Sequence, residues 1–181
     1  MKLLCFGDSN TFGYDPRSVF GSQYGKEDRW TDILQAQTGH DVVNAGQNGR
    51  EIPRRSFELD SAIQLISRHD PDLILVMLGT NDLLQGVDPE TVAARMETFL
   101  KQLPEPVLLV APPPLQRGTW VTDDDLVTRS RMLGQVYRDL SERLKIPFAD
   151  SSEWGVDLTF DGVHFTEAGH HTFAAHLIQF L

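Results

Sequence analysis

The 181-residue chain has the usual size of one domain, and its 40% apolar content can build a core without disulfides or metals. Its 26 acidic against 16 basic residues leave a formal charge of −10, which repels a long polyanion and argues against nucleic acid as a partner. The single cysteine, Cys5, excludes an intramolecular disulfide and a multi-thiolate metal site.

The apolar run Leu3–Phe6 predicts a first strand. It stops at Gly7-Asp8, too soon for a secretory signal, and no later stretch is long enough to span a bilayer. A cytoplasmic protein with no membrane partner is therefore expected. A helix is predicted over Trp30–Gln37, a strand over Asp41–Asn44, a helix over Ser56–Ser67 and a strand over Leu73–Leu78. Val92, Met96, Phe99, Leu100 and Leu103 recur on one face and predict a helix over Pro89–Leu103. The strand Val107–Ala111 runs into the stiff turn Pro112–Pro114. A long helix over Asp125–Leu144 buries Leu126, Leu133, Val136, Tyr137, Leu140 and Leu144, with Asp123–Asp125 suited to capping its start. The strand Pro147–Asp150 and a helix over Thr166–Phe180 complete the chain.

Strands that alternate with helices and lack tight hairpins must cross over to parallel neighbours, which puts helices on both sheet faces. The prediction is one α/β domain over residues 1–181. It is a three-layer α/β/α sandwich whose five-stranded parallel sheet has the flavodoxin-like order 2-1-3-4-5. In such a sheet the carboxyl ends of the strands share one rim and form a crevice at the switch point.

Four polar clusters fall at that rim: Gly7-Asp8-Ser9-Asn10, Asn44-Ala45-Gly46, Gly79-Thr80-Asn81-Asp82 and, before the last helix, Asp161-Gly162-Val163-His164. Each alone is weak, because these residue types also make ordinary turns and caps. Together and in order they resemble the SGNH hydrolases, the GDSL-type esterases and lipases, over essentially the whole chain. Cys5-Phe6-Gly7-Asp8-Ser9, Arg29-Trp30-Thr31, Met77-Leu78-Gly79-Thr80-Asn81-Asp82, Pro112-Pro113-Pro114 and His164-Phe165-Thr166 resemble small bacterial arylesterases and acyltransferases within that family. One departure is Asn10, where leucine is commoner. Because Asn10 supplies no required catalytic group, the change is expected to bear on substrate preference.

On the matched positions, Ser9 is the expected nucleophile, His164 the base that takes its proton, and Asp161 the carboxylate that orients the imidazole from three residues away. The resemblance implies oxyanion donors from the Ser9 and Gly46 backbone N–H groups and the Asn81 side-chain amide. Asp8 and Asp82 read as loop-fixing acceptors. Phe12, Tyr14, Trp30, Leu115, Trp120 and Val163 are the expected apolar pocket for an acyl or aryl group.

The expected partner is a small-molecule ester with a short acyl chain on an aryl, alkyl or sugar alcohol, and no cofactor or metal is required. Transfer of the acyl group to another alcohol is an alternative. A non-catalytic module that binds a carbohydrate or acyl ligand is a second, and a flavodoxin-like phosphate binder a third. The last lacks the G-x-x-x-x-G-K-[ST] loop it would need. The resemblance also raises assembly into a homo-oligomer.

Overall fold

The computed structural model describes residues 1–181 apart from Val19 and Glu105. Strands β1 (Lys2–Gly7), β2 (Asp41–Gly46), β3 (Leu73–Met77), β4 (Val107–Ala111) and β5 (Phe148–Asp150) form one parallel sheet in the order β2-β1-β3-β4-β5. The helices between and after them are α1 (Ser9–Phe12), α2 (Trp30–Thr38), α3 (Ser56–His69), α4 (Thr80–Leu84), α5 (Pro89–Leu100), α6 (Asp124–Leu144) and α7 (Glu167–Leu177).

The strands read as nearly continuous apolar runs because both faces of the sheet are covered. Along β1, Leu4 and Phe6 enter one core with Val92, Met96 and Phe99 of α5, Tyr137 and Leu140 of α6, and Ile66 of α3. The alternate residues Leu3 and Cys5 enter the other, against Trp30, Ile33 and Leu34 of α2 and Phe173, Ala174 and Leu177 of α7. Each fully buried Leu or Phe contributes about 1.5–3 kcal/mol before entropy is counted. The three-layer sandwich follows. Cys5 lies inside it, and burial pushes its thiol well above the ordinary range, so the sulfur stays protonated and unreactive.

The element ends differ from the periodic pattern where caps intervene. Helix α5 stops at Leu100, although Leu103 remains buried in the turn beyond it. Helix α6 starts on the Asp123 side chain, which accepts from the Asp125 N–H, and α7 passes into a short 3₁₀ turn at Ile178–Phe180. The short helices α1 and α4 were not predicted, since four or five residues carry no legible period. Both begin at the carboxyl end of a strand, and both hold candidate site residues.

Two glycines let α1 sit where it does. A Cβ on Gly7 would stand 2.0 Å from Thr11 Oγ1 and 2.9 Å from the Met77 carbonyl oxygen. A Cβ on Gly46 would stand 2.1 Å from the Phe12 backbone nitrogen. Gly46 is the last residue of β2 and pairs in register with Gly7, so Thr11 and Phe12 of α1 rest on two adjacent strand ends that lack side chains.

Candidate active site

Ser9 is the first residue of α1, directly beyond β1. The Asp8 carboxylate caps this turn by accepting from the Asn10 N–H at 3.0 Å, and Gly13 closes it in the left-handed region at φ 86°. Burial raises the Asp8 carboxyl to about 6, against the pull of the Asn10 N–H and the nearby His164 and Arg50.

His164 arrives from the far end of the chain on the loop before α7. The loop is fastened to the core by Phe165, which is buried against Phe173, and by a bridge between Leu158 and Phe165. Ser9 Oγ donates to His164 Nε2 at 3.0 Å, and His164 Nδ1 donates to Asp161 Oδ2 at 2.6 Å. Asp161 Oδ1 accepts from the Val163 N–H at 2.8 Å, the His164 N–H at 3.0 Å and the Thr159 hydroxyl at 2.8 Å.

Burial pushes the Asp161 carboxyl up, but the bonds from His164 and Val163 outweigh it and bring the group down to about 2. It is therefore a carboxylate at neutral pH. That charge assigns the proton of neutral His164 to Nδ1 and leaves Nε2 as the acceptor facing Ser9.

Asn81 lies in the first turn of α4. Its Nδ2 donates to the Arg50 carbonyl oxygen at 3.0 Å, which leaves a second amide hydrogen unused. Asp82, the next residue, is fully buried and fixes the facing loop by accepting from the Ile52 N–H at 3.0 Å and from Arg95 at 2.7 Å. Arg50 braces the same loop from below: it donates to the Gly7 carbonyl at 2.8 Å and to that of Ala45, with its guanidinium 4.1 Å over the Phe6 ring. Burial lowers the Arg50 guanidinium to about 10, which leaves it charged.

Ser9, Asn81 and His164 line a single cleft of about 280 Å³ together with Tyr14, Asn48, Gly49, Leu84, Trp120 and Val163. Gly46 does not reach it. Gly46 ends β2 and borders a separate depression with Phe12, Arg29 and Gln35, while the glycine in the cleft is Gly49, three residues on, at φ 72°. Neither the Ser9 nor the Gly49 backbone N–H finds an acceptor among the described residues. The Asn48-Gly49 pair is a common turn signal, and it was the available hint that the loop turns there and not at Gly46.

Three residues expected in the pocket are elsewhere. Phe12 lies on the β2 side of α1. Trp30 is 2% exposed, packs edge-on to Phe173 and donates its indole N–H to the Asn10 carbonyl at 2.9 Å. Leu115 is buried with Val121 and Val163 behind the cleft wall. Trp30 and Leu115 have apolar surface that is better removed from water in packing than left to line a crevice, whereas Phe12 borders the depression on the β2 side. Trp120 and Val163 do line the cleft. The half-exposed Trp120 ring stands edge-on to His164 at 5.3 Å, and Tyr14 lies 4.8 Å from the same imidazole. Asn48, Gly49 and Leu84 were missed, because their placement depends on loop geometry that has no period. A larger cavity of about 410 Å³ beside α3, lined by Phe6, Arg50, Ile52 and Phe57, contains neither Ser9 nor His164.

A sequence model of the GDSL-like Lipase/Acylhydrolase family matches residues 5–172. The chain belongs to that family. As a GDSL-type protein it is an ester hydrolase, and its sheet order is that of the family fold. It is 27% identical over 180 residues to an arylesterase of Vibrio mimicus, covering 90% of this chain and 79% of that one. Among solved structures, the M. smegmatis aryl esterase superposes with a TM-score of 0.82 at 28% identity, covering 98% of this chain and 96% of that one. A carbohydrate acetylesterase family member from Sinorhizobium meliloti gives 0.83 at 27% identity, covering 98% and 95%. No described helix of this GDSL-type hydrolase is long and apolar enough to cross a membrane.

Proposed function

We propose that this GDSL-type hydrolase cleaves esters of short acyl groups through an acyl-enzyme on Ser9. The observation that carries the reading is the continuous relay from Ser9 Oγ through His164 to Asp161, at 3.0 and 2.6 Å. His164 Nε2 takes the hydroxyl proton as Ser9 Oγ attacks the acyl carbon, and the imidazolium is stabilised by the Asp161 carboxylate. The alcohol leaves with that proton. Water, deprotonated by the same nitrogen, then attacks the acyl-serine and releases the acid.

The oxyanion formed in each attack is met by the Ser9 N–H, the Gly49 N–H and the remaining hydrogen of the Asn81 amide. These donors are held before substrate arrives, since Asn81 is oriented by the Arg50 carbonyl and Ser9 by its helix cap. Gly49 replaces Gly46 in this set. A cleft of about 280 Å³ is small for an organic ligand and favours acetyl or propionyl groups against the Leu84, Val163 and Trp120 walls. The named activities of the related arylesterase and carbohydrate acetylesterase support aryl or sugar alcohols as the other half of the ester.

The rings of Trp120 and Tyr14 beside His164 also favour a second outcome, in which an added alcohol competes with water for the acyl-enzyme. The test is hydrolysis of p-nitrophenyl acetate by the parent and by Ser9→Ala, both checked for folding by circular dichroism. Loss of activity with Ser9 is expected, and equal rates refute the nucleophile. Octanoyl esters cleaved faster than acetyl esters would refute the short-chain preference. Ester product on adding an alcohol would establish transfer.

A further inference from the structure

Asn10 is 3% exposed, directly follows the candidate nucleophile, and makes four hydrogen bonds. Its backbone N–H donates to Asp8 at 3.0 Å and its carbonyl accepts from the Trp30 indole at 2.9 Å, so its main chain is fixed at both ends. The side chain spans to the other end of the protein. Nδ2 donates to the Val163 carbonyl at 3.0 Å, and Oδ1 accepts from the Phe165 N–H at 3.0 Å. These are the peptide groups on either side of His164. Because a backbone carbonyl only accepts and a backbone N–H only donates, the amide fits in one orientation.

We propose that Asn10 is a positioning residue, a two-point amide clamp that sets the distance and plane of His164 relative to Ser9. The inference rests on the esterase reading above. It corrects the expectation that residue 10 bears on substrate preference, since both ends of the amide are spent on the histidine loop. Asp161 holds the imidazole from one side through Nδ1, but Asp161 belongs to the same loop and moves with it. The Asn10 amide ties that loop directly to the turn that carries Ser9, beside the packing of Phe165 and the Tyr24 hydroxyl, which donates to the Phe165 carbonyl oxygen at 3.1 Å.

The clamp is tested with Asn10→Ala, which removes both bonds, and Asn10→Asp. The latter keeps the shape and the bond from the Phe165 N–H but sets an oxygen against the Val163 carbonyl. With p-nitrophenyl acetate, kcat is expected to fall about 10–100-fold in both variants, as for a displacement near 1 Å, with KM nearly unchanged. The second readout is the proton resonance of His164 Nδ1–H, expected to be sharp and downfield in the parent and broadened or shifted in the variants. A merely structural role would leave it in place.

Should Asn10→Ala fail to fold, the isosteric Asn10→Asp carries the test. Folded variants with kcat within about twofold of the parent, or with an unchanged His164 resonance, overturn the clamp. If the parent itself shows no esterase activity, the function proposed above fails, while the resonance still decides for or against the clamp.

Discussion

Gly46 and Gly49 separate two reasons for a glycine at a strand end, and substitution by alanine measures each. At Gly46 the added Cβ would lie 2.1 Å from the Phe12 nitrogen and 2.6 Å from both Phe12 Cα and the Thr11 carbonyl carbon. All three are backbone atoms and cannot turn aside, so relief to ordinary contact near 3.4 Å requires α1 and β2 to part by roughly 1 Å. Overpacking of this kind costs about 1–3 kcal/mol, and the element displaced is the turn that carries Ser9. At Gly49 a Cβ meets nothing within 4 Å, so the cost is that of a left-handed φ of 72°, about 1–2 kcal/mol. Alanine there keeps its N–H. Gly46→Ala is therefore expected to lower the denaturation midpoint and to reduce kcat for p-nitrophenyl acetate by about 100-fold, while Gly49→Ala loses stability but stays within a few-fold in rate. Urea melts and steady-state kinetics on the two proteins make the comparison. Full activity in Gly46→Ala would refute the argument that this glycine holds the nucleophile turn in place.

Asn81→Ala removes one of the proposed oxyanion donors and is expected to lower kcat by about 10²–10³ with little change in KM; a purely KM effect would place Asn81 in ground-state binding instead. Arg95→Ala leaves the fully buried Asp82 carboxylate without its ion pair, at an expected cost of about 3–5 kcal/mol in a urea melt, and a loss below 1 kcal/mol would show that the pair is dispensable. Burial drives His170 down to about 3 in the folded protein, against 6.5 ordinarily, so between those values the unfolded chain binds a proton that the folded one refuses. Its stabilising effect is complete above pH 6.5 and is lost as pH falls toward 3. Asp8, raised by burial to about 6 from 3.8, acts with the opposite sign over the narrower span between those values. The melting temperature of His170→Phe should accordingly fall less than that of the parent between pH 7 and pH 4.5, and parallel curves would contradict this.

The fold was legible because five apolar runs and five helical stretches repeat at lengths that periodicity can resolve, and parallel strands admit few connections. Ser9, Asn81, Asp161 and His164 were legible as members of ordered motifs, and the chain brings Ser9, His164 and Asp161 into one hydrogen-bonded relay. Gly46 follows from the resemblance at the end of the second strand, expected at Asn44; that strand runs two residues further, to Gly46, which puts the turn at Asn48-Gly49. Phe12, Trp30 and Leu115 were assigned to the pocket by side-chain type alone. Aromatic and aliphatic groups near a rim face inward or outward according to packing that a linear pattern does not encode, and Trp30 turned inward because its indole N–H found the Asn10 carbonyl.

The relay joins residues 155 positions apart in the chain, with four of the five strands lying between them in sequence. During synthesis Ser9, the proposed nucleophile, leaves the ribosome long before His164, its proposed base, has been translated. A partly made chain thus carries an inert serine that neither consumes cellular esters nor traps an acyl group. On the proposed mechanism chemistry begins only when the loop before α7 docks, so esterase turnover doubles as a readout of finished folding.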